Sequence, residues 1–97
     1  MEQVVELVLF KLRENVDTKE FMEASRKFEE QFLKKQTGLI ERKLIFSKDT
    51  WGDLAVWDSI EAAKAIESAM PESKEANMYN SFIEMSSIEM KHFEVKQ

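Results

Sequence analysis

His92 is the one histidine in a chain of 97 residues that has no cysteine. Thiol nucleophiles, disulfides and cysteine–metal centres are therefore excluded. A metal centre would need carboxylates beside His92. Its neighbours in strand alternation, Met90 and Glu94, offer only one hard ligand, so no metal site is expected. As a general base His92 needs a pocket, and Ile88, Met90 and His92 share a parity that could line one. The competing reading is a half-solvated histidine at a strand end.

Two tryptophans, Trp51 and Trp57, share a parity of one strand. Trp57 stands at a strand end just before a helix start, where an indole makes a stacking wall for a planar ligand. Plain core or interface packing is the other reading, and for Trp51, beside a turn, the interface is expected. Tyr79, the single tyrosine, either hydrogen-bonds a ligand oxygen or is a buried ring with a surface hydroxyl. Asp53 and Asp58 lie on opposite parities of their strand, so they cannot act as paired carboxylates. Of the six methionines, Met70, Met78, Met85 and Met90 fall close together. They read either as a deformable apolar pocket or as gap-filling core, and Met70 is the pocket candidate. With two glycines in the chain, no phosphate-cradling loop is available.

The elements that must position these residues follow from pattern. Val4 to Leu12 reads as a strand, apolar on both parities, with Glu6 the one break in the even set. Such a strand is covered on both faces. Asp17 opens a helix, with Glu20 placed for a capping box and Val16 for a staple on Phe21. The helix runs to Lys34 and Lys35, and Gly38 closes it. Leu39 to Phe46 is a second strand, with Ile40, Leu44 and Phe46 as its apolar half. A turn leads to a third, Trp51 to Asp58. Ser59 caps a helix over Ile60 to Met70, which Pro71 ends. Ser73 caps a short helix to about Met85, and Ile88 to Val95 is the last strand.

The order is the βαββαβ of an α+β, ferredoxin-like domain: a four-stranded antiparallel sheet with helices on one face, residues 1–97 forming one domain. Helices cover only one face, so a second copy of the chain, sheet against sheet, is expected on the other. The 19 acidic and 14 basic residues give a net charge of −5, which disfavours nucleic acid and anionic membrane as partners. No apolar run approaches a membrane span and the N-terminus lacks a signal-peptide pattern, so a cytoplasmic location is expected.

The run Leu9-Phe10-Lys11-Leu12, the segment Gly38-Leu39-Ile40-Glu41-Arg42-Lys43-Leu44 and the junction Ala55-Val56-Trp57-Asp58-Ser59 resemble the antibiotic biosynthesis monooxygenase family, of the dimeric α+β barrel superfamily. The resemblance covers nearly the whole chain and implies a homodimer binding a small apolar or aromatic molecule. Family activities include cofactor-independent oxygenation of quinol-like aromatics and haem degradation. Trp57 matches the strand-three tryptophan of the quinol-oxygenating members. Asp53 stands where they have asparagine, Ala63 where they have tyrosine, and near Asn77 their arginine has no match. Of the haem-degrading pattern, strand one lacks the asparagine, Ile66 replaces the tryptophan and Asn77 falls where the ligand histidine would be. Haem is therefore not expected, nor is any other cofactor. The resemblance implies either a cofactor-free monooxygenase or a non-catalytic binding or regulatory dimer using the same pocket, with Trp57, Tyr79, Met70 and His92 as candidate pocket residues.

Overall fold

Strand β1, Val4–Leu12, is built of the valines and leucines that suit a pleated, packed surface. Its computed structural model describes residues 2–97 of the chain, so Met1 lies outside the described residues. Asp17 caps helix α1 (Thr18–Gln31), its carboxylate accepting from the backbone N–H groups of Lys19 and Glu20 at 2.7 and 3.3 Å. Phe21, Ala24, Ser25 and Phe28 form the buried stripe of α1, at helical spacing. A 3-10 turn, Leu33–Lys35, leads to Gly38, whose φ of +97° is a left-handed conformation. A Cβ there would lie 2.7 Å from both Ala62 Cβ and Asp58 Oδ1, so only glycine fits.

Strands β2 (Leu39–Ser47) and β3 (Thr50–Trp57) make a hairpin. Ser59 caps α2 (Ile60–Ala69), and Ser73 caps α3 (Lys74–Ser81) after a 3-10 turn containing Pro71. Strand β4 (Ile83–Glu94) completes a sheet of order β2-β3-β1-β4, all neighbours antiparallel. This is the expected ferredoxin-like βαββαβ arrangement. No helix among the described residues is long and apolar enough to cross a membrane.

The core lies between one sheet face and the helices. Phe10, Ala55, Trp57 and Ile83 from the strands meet Phe21, Phe28, Ile66 and Tyr79 from the helices. The opposite face carries Val5, Leu7 and Leu9 of β1 with Leu54 and Val56 of β3, none of them fully buried. Ile45 and Phe93 on the flanking strands are exposed.

Three local expectations are corrected. The last helix ends at Ser81, not near Met85: its C-cap Phe82 closes a tight turn, donating its N–H to the Tyr79 carbonyl at 3.3 Å. Arg13 then binds the Phe82 and Ile83 carbonyls and draws the chain into β4 five residues early. Met85 to Ile88 form a bulge, with the Ser87 hydroxyl accepting from Lys11 N–H at 2.8 Å in place of a ladder bond. Ile40 is a bulged residue too, which puts it out of phase with Leu44 and leaves it half exposed. Trp51 packs on the helical side, its ring 5.0 Å from Phe21 and 4.7 Å from Phe46.

Candidate functional site

Strand parity decides which β3 side chains face the helices. Trp51, Asp53, Ala55 and Trp57 do, and Asp58 is exposed beyond the strand end. Asp53 is therefore a carboxylate inside an apolar layer, a costly placement unless it is paired. Arg42 of β2 pairs it twice, Nε to Oδ1 at 3.0 Å and Nη2 to Oδ2 at 2.9 Å. The Arg42 side chain is only 3% exposed. Its remaining donors reach Ser25 Oγ at 2.9 Å and Glu29 Oε1 at 3.2 Å, both on α1. The guanidinium lies over the rings of Phe28 and Tyr79 at 5.6 and 5.5 Å, and those rings stack at 4.7 Å.

Tyr79 of α3 donates its hydroxyl to Asp53 Oδ2 at 2.8 Å. This hydroxyl is not at the surface: the residue is buried. Burial, and after it the Asp53 charge, pushes the phenol well above its usual value of 10.0. Burial also works against the Arg42 charge, yet Asp53 holds that cation more firmly protonated than usual. Both Asp53 oxygens are thus occupied, which makes it a structural anchor rather than a free base. It ties α1, β2, β3 and α3 together.

Beside this network lies a cavity of about 80 Å³ between sheet and helices. Trp57, Tyr79 and Met70, three of the four sequence candidates, line it with Asp53, Glu6, Val8, Phe10 and Ile66. The Trp57 side chain is fully buried, and its Nε1 has no hydrogen-bond partner within the protein. Met70 is half-buried, whereas Met22, Met78, Met85 and Met90 are exposed. The idea of a methionine-lined pocket thus reduces to Met70: Met78 is on the outer side of α3, Met85 is in the β4 bulge, and Met90 is on an edge strand.

His92 stands outside this lining but one side chain away. It pairs with Glu6 across β1 and β4, and its Nε2 lies 3.1 Å from Glu6 Oε2. Glu67 of α2 approaches the same nitrogen at 3.8 Å. Burial raises the Glu6 carboxyl above its ordinary value, with the His92 hydrogen bond opposing the rise. The two carboxylates around His92 come from β1 and α2, so alternation along β4 cannot find them. Glu6 left one sequence signal, the single charged break in an apolar parity. Arg42 and Glu29 left none, because a charged residue in a half-polar edge strand or on a helix surface is ordinary.

No family model and no curated protein matches the sequence. Solved structures do. The cofactor-independent oxygenase SnoaB of Streptomyces nogalater superposes with a TM-score of 0.80 over 100% of this chain and 96% of its own, at 16% identity. The chain has the antibiotic-monooxygenase fold. A Bordetella bronchiseptica protein provisionally assigned as an antibiotic biosynthesis monooxygenase shares that fold over 100% of both chains, with a TM-score of 0.81 and 8% identity. A Caulobacter crescentus protein with the same provisional assignment covers 99% of this chain and 92% of its own, at a TM-score of 0.76 and 11% identity.

Proposed function

We propose that this protein binds a small, largely apolar aromatic molecule carrying a hydrogen-bond acceptor, in the cavity between sheet and helices. The observation that carries the reading is the Trp57 Nε1 donor, buried beside an apolar cavity with no partner in the protein. A buried donor without an acceptor costs roughly 1–3 kcal/mol, and a ligand oxygen supplies one while the ring stacks on the indole or on Tyr79. At about 80 Å³ the cavity is smaller than the ~150 Å³ that holds benzene in an engineered protein. A ligand ring therefore needs added room, which the lining side chain of Met70, with its three torsions, is suited to yield.

The shared fold with SnoaB favours a second reading, cofactor-free oxygenation of a quinol-like ring. The balance is simple: a quinol plus O₂ gives a hydroxyquinone plus water, the substrate supplying all four electrons. A second copy of the chain is the partner this reading assigns to the open sheet face. That face has an apolar centre on β1 and β3, and charges of both signs, Glu41, Lys43, Glu89 and Lys91, on its edge strands. Such a patch suits a self-complementary, two-fold contact.

Titration with a naphthoquinol is expected to quench tryptophan fluorescence saturably. Trp57→Phe is expected to weaken that binding and leave the assembly intact. A variant that loses about 1–3 kcal/mol of stability but binds unchanged would reject the pocket. Oxygen uptake with the same quinol separates catalyst from binder: uptake that follows protein concentration makes it an oxygenase.

A further inference from the structure

Glu6, Glu67 and His92 come from β1, α2 and β4, and each offers a ligand atom within 4.8 Å of the other two. We propose that they form a divalent metal site, one imidazole and two carboxylates holding a first-row transition ion such as Zn²⁺. This goes beyond the aromatic-binding reading above, and the two stand or fall separately.

Geometry is the first support. With metal–ligand lengths near 2.0–2.2 Å, adjacent ligand atoms sit about 2.8–3.6 Å apart around an octahedral or tetrahedral ion. His92 Nε2 already lies 3.1 Å from Glu6 Oε2 and 3.8 Å from Glu67 Oε1. All three donors lie within 4.8 Å of one another, so the two carboxylates must draw in by side-chain rotation to close on an ion. Charge is the second support. Two carboxylates converge on one imidazole, and among the described residues no lysine or arginine forms an ion pair with either. Repulsion between them is answered by a dication better than by one imidazolium.

The third support is the state of that same Glu67 oxygen, within ion-pair reach of His92 but beyond a hydrogen bond. Glu67 Oε1 is shut off from solvent yet has no hydrogen-bond partner in the protein. A plain His92–Glu6 ion pair explains the position of Glu6 and leaves this oxygen unexplained; a metal ligand explains both. Three protein ligands leave at least one coordination position open, the pattern of reactive rather than purely structural sites. The donors also straddle a wall. Glu6 lines the inner cavity, and His92 lines an outer hollow of about 360 Å³ with Val4, Ser59 and Phe93. An ion enters from the outer side.

Calorimetric titration of the purified chain with Zn²⁺, after dialysis against chelator, tests the site. One ion per chain is expected, with Co²⁺ competing for it and giving visible absorption bands. Glu67→Gln keeps size and hydrogen bonding at a side chain that is 37% exposed, so it folds, and it is expected to weaken Zn²⁺ at least tenfold. His92→Gln is expected to do the same, with circular dichroism checking its fold. Absence of saturable binding at micromolar Zn²⁺ overturns the proposal. So does binding that changes less than tenfold in folded Glu67→Gln, since the ion would then sit elsewhere.

Discussion

Arg42 and Asp53 illustrate how much rests on single side chains here. Each is largely buried, and each answers the other's charge through two hydrogen bonds. Removing one member of such a pair leaves an uncompensated charge, at a cost of about 3–5 kcal/mol. Arg42→Met is therefore expected to lower the urea midpoint sharply. Adding Asp53→Leu to it should restore part of the loss, and a double variant as weak as the single one would contradict the pairing. Tyr79 offers a pH test. Its folded-state pKa is raised, chiefly by burial, so the folded chain keeps a proton that the unfolded chain releases near pH 10. The associated stabilisation is complete below about pH 10 and fades as pH climbs towards the folded value. With one tyrosine in the chain, tyrosinate absorbance reports it cleanly. The signal should appear only as the chain unfolds, and a reversible titration near pH 10 in folded protein would refute the Tyr79–Asp53 hydrogen bond.

Among the elements, the caps were the most legible features. Asp17, Ser59 and Ser73 each hold a helix start where a short acceptor side chain precedes an apolar stripe. Gly38 was readable as a breaker, but its reason is tertiary. It passes so close to Asp58 and Ala62 that it fixes where β2 begins against the start of α2. Gly38→Ala meets both a left-handed backbone and a clash, and we expect it to cost about 2–4 kcal/mol by chemical denaturation. A loss below about 0.5 kcal/mol would mean the segment yields freely. The junction of α3 and β4 was misread because helical periodicity continues through Phe82 and Ile83. The capture of their carbonyls by Arg13, about seventy residues earlier in the chain, leaves no local trace. The site divides the same way. Trp57, Tyr79 and Met70 could be named as aromatic and flexible residues near an element end, whereas the partners of Asp53 and His92 arrive from other strands and helices.

For the whole molecule, the decisive quantity is how the open sheet face is covered. Val5, Leu7, Leu9, Leu54 and Val56 form a contiguous apolar band there, a surface a lone chain seldom leaves wet. Sedimentation at micromolar concentration is expected to give about twice the 11.4 kDa chain mass. A species of single-chain mass would remove the two-copy proposal while leaving the cavity intact.

The outer strands of the sheet, β2 and β4, carry the bulges at Ile40 and at Met85–Ile88. An uninterrupted outer strand presents a row of free N–H and C=O groups on which another chain can stack, the first step towards fibrils. Here both outer strands are bent by a bulge, and a bulged strand twists its edge away from the flat geometry that stacking needs. The face-to-face pairing proposed above would leave these bent edges poor templates for a third chain. The irregularities that obscured the strand boundaries are also what should keep this acidic, aromatic-rich chain dispersed in a crowded solution.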